Sequence, residues 1–116
     1  MSAGGISVHA VDVAAGRAAA GLRVVIEALE PVRRRLAEGV IGPDGQLDHP
    51  VVRGAGVTAG VHEVTFAIGD YLAASDPDGA RFLDAVPFRF TIADPAEHYH
   101  LPLKFTRFGY AIFRGV

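Results

Sequence analysis

The sequence predicts an all-β sandwich, and three observations carry that expectation. Glycine and proline recur along the whole chain, 14 and 7 residues respectively, and cut it into short elements joined by tight turns. Between those breaks, apolar and polar residues alternate at the period of a half-buried strand. Only one stretch, Asp70 to Ser75, reads as a helix. With 116 residues there is room for one domain and one core, so residues 1–116 are read as a single domain without repeat or linker.

Ile6 to Asp12 opens the pattern, with Ile6, Val8 and Ala10 on one face and Ser7, His9 and Val11 on the other. Ala14 to Gly21 is a small-residue connection. Leu22 to Leu29 forms a second strand that presents Leu22, Val24, Ile26 and Ala28 to one side and Arg23 and Glu27 to the other. After Pro31, a third strand covers Arg35 to Ile41. Gly42-Pro43-Asp44-Gly45 is the clearest turn, because proline presets φ and glycine accepts a positive one. Gln46 to Arg53 is expected to be a short edge strand capped by Pro50, and Gly54 to Gly60 a glycine-rich loop. Val61 to Ile68 alternates again, placing His62, Val64 and Phe66 together. Asp70 is the expected N-cap of the short helix, which Pro77 and Gly79 end. Val86 to Ile92, Tyr99 to Thr106 and Tyr110 to Arg114 complete the set, the last two joined by a hairpin at Arg107-Phe108-Gly109. Strands at roughly 8–12-residue spacing are the mark of a β-sandwich.

Half of the residues are apolar and 21% are charged, as in a folded globular protein. The net charge of −2 gives no electrostatic case for nucleic acid, and the run Arg33-Arg34-Arg35 is read as a solvated strand edge rather than a phosphate patch. The chain has no cysteine, which excludes disulfides and thiolate chemistry. No apolar run approaches a membrane span, and Met1 to Gly5 lacks the features of a signal peptide, so a cytoplasmic location is expected.

The side chains that could carry chemistry are histidines on polar strand faces. His9 lies near one end of the chain and His100 near the other, with His98 pointing the same way as His100 if its strand begins early. Imidazole suits proton transfer near neutral pH, so a pair brought together across a sheet could hold and polarise a water. From spacing alone, exposed strand histidines are more often ordinary polar residues. A three-histidine zinc site from His9, His98 and His100 ranks below acid–base chemistry, and no metal is expected. Phosphate, dinucleotide and zinc-protease motifs are missing, and with Ser2, Ser7 and Ser75 as the only serines a serine nucleophile is poorly supported.

Two segments carry a family resemblance. Glu97-His98-Tyr99-His100-Leu101-Pro102-Leu103, then Phe108-Gly109-Tyr110 and Phe113-Arg114-Gly115-Val116, resembles the signature end of the transthyretin-like family in its 5-hydroxyisourate hydrolase branch. Ser7-Val8-His9-Ala10-Val11-Asp12, with Gly16 to Leu22, is similar to that family's opening strand, and Asp44-Gly45 and Gly69 to Ala74 also match. The resemblance implies a transthyretin-like sandwich of two four-stranded sheets with one short helix after the fifth strand. It also implies a homotetramer, a dimer of dimers, with active sites in the channel between dimers. His9 and His100 match the catalytic histidines; Gln46, His98, Arg114, Gly115 and Val116 fall where the substrate is bordered. The implied reaction is attack of an activated water on a ring carbonyl of 5-hydroxyisourate, opening a lactam in urate catabolism. The partner is then a small cyclic ureide, with no cofactor, nucleic acid or membrane.

The chain departs from the family pattern at three positions. Gln46 stands where the family has an arginine, Phe113 replaces a tyrosine and Val116 replaces the closing serine. Glutamine donates hydrogen bonds but brings no charge and no bidentate fork. The resemblance therefore favours a 5-hydroxyisourate hydrolase in which Arg53 or another arginine supplies the charge. Alternatives are a hydrolase of a different cyclic ureide or lactam, and a non-catalytic transthyretin-like binding protein.

Overall fold

The computed structural model describes residues 4–116; Ser2 and the first residues of the Met1–Gly5 stretch lie outside them. The strands are β1 (Ile6–Asp12), β2 (Arg17–Ala18), β3 (Arg23–Ala28), β4 (Arg34–Val40), β5 (Gly60–Ala67), β6 (Ala85–Ile92), β7 (Tyr99–Phe105) and β8 (Tyr110–Ile112). One helix, α1 (Ile68–Ser75), follows β5. The strands form two four-stranded sheets, ordered β2-β1-β7-β8 and β4-β3-β5-β6, as expected.

Alternation puts the core between the sheets. Ile6, Val8 and Ala10 of β1 and Leu101, Leu103 and Phe105 of β7 are buried on one inner face. Val24 and Ile26 of β3 and Val64 and Phe66 of β5 are buried opposite. All belong to one continuous apolar cluster. Phe105 is core, while Phe108, Tyr110 and Phe113 are exposed.

Four boundaries differ from the sequence reading. Residues 46–53 do not form an edge strand: isolated bridges pair Gln46 with His9 and Leu47 with Ile41, and Pro50–Arg53 winds into a 3-10 helix. The reason is local. Pro50 has no N–H for a ladder, and the His49 side chain accepts the Val51 N–H at 3.0 Å, capping the turn. Asp70 is not the N-cap either. The chain passes straight from β5 into α1, Ala67 is the cap residue without a side-chain bond, and Asp70 sits in the first turn, where its carboxylate suits the helix dipole. The Gly69 N–H is instead satisfied by the carbonyl of Asp84 at 3.2 Å. The connection after β1 contains the two-residue strand β2, paired with Val11 and Asp12. Finally, β8 stops at Ile112, and the tail beyond it bridges back to His100 through Gly115.

Asp12 is a buried carboxylate at the end of β1. It accepts hydrogen bonds from the Ala15 N–H and the Tyr71 hydroxyl, both at 3.0 Å, and so ties the hairpin after β1 to α1. The three arginines leading into β4 are engaged along the sheet edge. Arg33 pairs with Glu27, Arg34 bonds Thr58, and Arg35 pairs with Glu38. All are solvent-facing contacts of small energetic weight.

His62, on the inner face of β5, is 1% exposed. Its Nδ1 donates to the Gly60 carbonyl at 2.9 Å, and its Nε2 has no hydrogen-bond partner among the described residues. Burial, foremost, pushes its pKa below the ordinary histidine value; the Gly60 bond and Glu30 oppose this and Arg34 adds to it. A depressed histidine pKa means that the unfolded chain binds the proton first. His62 therefore contributes stability above the unfolded value of about 6.5 that is lost as pH falls through its folded pKa. Replacing His62 with leucine is expected to shrink the loss of stability between pH 7 and pH 5, measured by urea denaturation at both pH values.

Candidate active site

The outer face of the β1–β7 pair gathers the histidines. Because Ile6, Val8 and Ala10 point inward, Ser7 and His9 point outward, and His100 and Pro102 do the same on β7. The two strands run parallel, with Ser7 beside His100 and His9 beside Pro102. This sets His9 and His100 on a diagonal of roughly 8 Å between Cα atoms, wide enough for a water or a ring carbonyl between the imidazoles. His98 precedes the first residue of β7, yet its side chain reaches the same cluster.

Ser7 links the two C-terminal histidines. Its Oγ lies 2.7 Å from His98 Nε2 and 2.8 Å from His100 Nδ1. The other ring nitrogen of His98, Nδ1, lies 2.6 Å from the Gly4 carbonyl oxygen. His98 is exposed, whereas His9 and His100 are half-buried. Partial burial first, then the neighbouring imidazoles of His9 and His98, hold the His100 pKa below the ordinary histidine value. His100 is thus kept in its neutral form near pH 7.

Backbone from two other segments closes around this cluster. The turn at Gly42–Gly45 is closed by the Gly45 N–H on the Gly42 carbonyl at 2.9 Å, and the Gly45 carbonyl accepts the Ala10 N–H at 2.9 Å. Gly45 has φ of +84°, and a Cβ there would stand 2.6 Å from His9 Nε2. The His9 ring therefore packs on a bare Cα, which only glycine offers. Gln46 follows, bridged to His9 and exposed. At the other end, the Gly115 N–H donates to the His100 carbonyl at 2.6 Å, and a Cβ on Gly115 would stand 3.0 Å from His100 Cδ2.

Five of the expected site residues, His9, His98, His100, Gln46 and Gly115, thus meet on one face. Val116 follows Gly115 and is exposed. Arg114 is directed differently. Its guanidinium lies 4.1 Å over the ring of Tyr99, an inner-face residue, and donates to the His98 carbonyl at 3.2 Å, with Glu97 at 3.8 Å. It lines a cavity of about 290 Å³ with Phe88, Phe90 and Tyr99 at the edge of the sandwich. Arg53, the suggested substitute for the missing arginine, sits in the 3-10 helix and has no hydrogen bond or ion pair with the cluster among the described residues. Among those residues no group of three histidine or acidic side chains is disposed to hold a metal.

Ser7 is the member of this cluster that the sequence pattern does not single out. Alternation puts it on the face of His9, but a lone serine in a sequence suggests only a nucleophile. Its partners become visible through the parallel pairing of β1 with β7.

Residues 6–115 match the HIUase/Transthyretin family. The chain belongs to that family. It is 41% identical over 116 residues to 5-hydroxyisourate hydrolase 2 of Rhizobium meliloti (strain 1021), covering 97% of this chain and 96% of the relative. It is 38% identical over 116 residues to the 5-hydroxyisourate hydrolase of Deinococcus radiodurans, covering 96% and 95%. Among solved structures, an (S)-allantoin synthase matches with a TM-score of 0.89 at 31% identity over 99% of this chain, which spans 44% of that longer one. The Klebsiella pneumoniae 5-hydroxyisourate hydrolase shares the fold with a TM-score of 0.80 at 24% identity, covering 100% of this chain and 94% of that one.

Proposed function

We propose that this chain is a 5-hydroxyisourate hydrolase, with His9 and His100 as its catalytic pair. One observation carries the reading. Three imidazoles meet on the outer face of β1 and β7, flanked by Gly45-Gln46 and Gly115, in a chain 41% identical to a 5-hydroxyisourate hydrolase along nearly its whole length. In the reaction, a water held between His9 and His100 gives a proton to imidazole as its oxygen bonds to a ring carbonyl carbon. The C–N bond of the lactam then breaks, its nitrogen takes a proton from imidazole, and the ring opens to a carboxylic acid, which releases its proton to solvent as the carboxylate. His98, Gln46, Gly115 and Val116 border the ring, and hydrogen-bond donors along this border stabilise the developing oxyanion. Arg114 anchors the tail by its hold on Tyr99 and the His98 carbonyl, which keeps Gly115 against His100. No cofactor takes part.

The enzyme acts as a homotetramer, a dimer of dimers, in the cytoplasm. Support for assembly comes from the exposed aromatic side chains Phe108, Tyr110 and Phe113 around edge strand β8, and from an active face that a single protomer leaves open. The described residues contain no helix long and apolar enough to cross a membrane. Sedimentation equilibrium should return the mass of four 12.2 kDa chains; a monomer would refute the assembly, and cell fractionation checks the location.

The deciding experiment is hydrolysis of freshly generated 5-hydroxyisourate, followed by ultraviolet absorbance against its spontaneous decay. Acceleration by the purified protein is expected. A folded protein that gives none would sink this reading. It would leave the second one, a hydrolase of a less anionic cyclic ureide or lactam, which the uncharged Gln46 favours. A ring that binds without turnover would instead mark a binding protein.

A further inference from the structure

We infer that Ser7 is a positioning residue that sets the tautomer of His100 and passes its proton to His98, an assignment that rests on the hydrolase reading above. Hydrogen-bond polarity fixes the protons of this chain from its Gly4 end. A carbonyl oxygen only accepts, so the 2.6 Å contact between Gly4 O and His98 Nδ1 requires the proton on Nδ1. A neutral His98 then has a bare Nε2, which can only accept. The single hydroxyl proton of Ser7 must point there, across 2.7 Å. What remains on Ser7 Oγ is lone pairs, so the 2.8 Å contact to His100 Nδ1 requires a proton on that nitrogen too. His100 Nε2 is thereby left bare, with no hydrogen-bond partner among the described residues, and is the free base of the site.

The same chain can carry charge. When His100 Nε2 takes a proton from water, His100 Nδ1–H transfers to Ser7 Oγ, and the Ser7 hydroxyl proton transfers to His98 Nε2. One proton enters at His100, and one positive charge ends on His98, whose two N–H groups then face Gly4 O and Ser7 Oγ. The shift takes the cation from a half-buried ring to an exposed one, where water stabilises it. Reversing both transfers restores a protonated His100 able to supply the departing lactam nitrogen. The titratable groups around the chain are His9 beside His100, and Glu97 and Arg114 behind His98.

Substituting Ser7 with alanine removes the link and leaves β1 and its inner face intact. Groups that hold the second ring nitrogen of a metal-bound histidine are typically worth about 10–100-fold, and a comparable weight is taken for Ser7. A loss of that size is expected in kcat for Ser7→Ala with KM little changed, together with a displaced acid limb of the pH–rate profile. Ser7→Thr, which keeps the hydroxyl, should recover most of the rate. Nitrogen-15 NMR of the imidazoles reads the tautomer without substrate: His100 should carry its proton on Nδ1 in the wild type and shift toward Nε2 in Ser7→Ala. A wild-type His100 protonated on Nε2 at neutral pH would overturn the inference, as would a Ser7→Ala kcat within twofold of wild type. Failure of the wild type to turn over 5-hydroxyisourate would count against the hydrolase reading alone, since the NMR result stands apart from it.

Discussion

His100→Asn should lower kcat on 5-hydroxyisourate by about 10²–10⁴-fold near neutral pH, the usual weight of a general base, while leaving the fold in place. Asparagine is close to imidazole in reach and can still meet the Ser7 hydroxyl, but it cannot take a proton. The backbone role of residue 100 survives, because Gly115 bonds its carbonyl rather than its side chain. The side chain is only half-buried and outside the core, so the loss of stability should stay within about 1 kcal/mol. The pH profile gives a second signature. The base must be neutral to work, and burial with His9 and His98 nearby holds the His100 pKa below the ordinary value. Activity should therefore be full above about pH 6.5 and fall as pH drops through the depressed pKa. In His100→Asn that acid limb disappears from whatever rate remains. Stability moves with the same sign: the unfolded chain takes up this proton before the folded one does, so acidification below the unfolded value weakens the fold. Stopped-flow absorbance from pH 5 to 8, paired with thermal melts, would read both. An unchanged kcat in the folded variant would remove His100 from the mechanism.

The sandwich is legible in the sequence because its strands are amphipathic in the simplest way. Ile6-Ser7-Val8-His9-Ala10 and Tyr99-His100-Leu101-Pro102-Leu103 alternate strictly, so the pattern alone assigns each inner face, and His9 and His100 fall outward by default. The turn at Gly42–Gly45 is equally plain, since Pro43 and Gly45 restrict the backbone locally. What alternation does not contain is which strands are neighbours. The parallel pairing of β1 with β7 joins segments about ninety residues apart, and it alone brings Ser7 between His98 and His100. The same limit explains residues 46–53, where the His49 cap and the proline override a strand-like composition. It also explains Asp70, displaced from the cap because β5 runs directly into α1. His62 shows a different gap. The period puts it beside Val64 and Phe66, so its burial is implied, but the orphaned Nε2 depends on tertiary neighbours. The family motifs name candidate site residues without fixing where Arg114 points, and its contact with Tyr99 comes from how the tail folds back after β8.

Gly45→Ala is expected to abolish most of the activity without touching any group that does chemistry. A Cβ at this position would stand 2.6 Å from His9 Nε2, 3.0 Å from Cδ2 and 3.3 Å from Cε1, so the ring has to swing away from the cluster. The imidazole can rotate, which means that the clash is relieved by losing the catalytic geometry rather than by unfolding. The backbone adds a separate cost, because φ of +84° is unfavourable for alanine, by about 1–2 kcal/mol per left-handed residue. Gly16→Ala separates the two effects. Gly16 has φ of +70°, and a Cβ there meets nothing within 4 Å among the described residues, so the same strain arises in the hairpin after β1 without a collision. Both variants should therefore melt a few degrees below the wild type. Only Gly45→Ala should lose kcat, by about 10²-fold or more, as misplacement of a reacting group by about 1 Å can do. If Gly16→Ala lost as much activity as Gly45→Ala, the effect would be general destabilisation and the close packing of His9 on Gly45 would have no catalytic meaning. If Gly45→Ala kept full activity, His9 would not need the position in which the turn holds it, and the pairing of His9 with His100 would have to be abandoned.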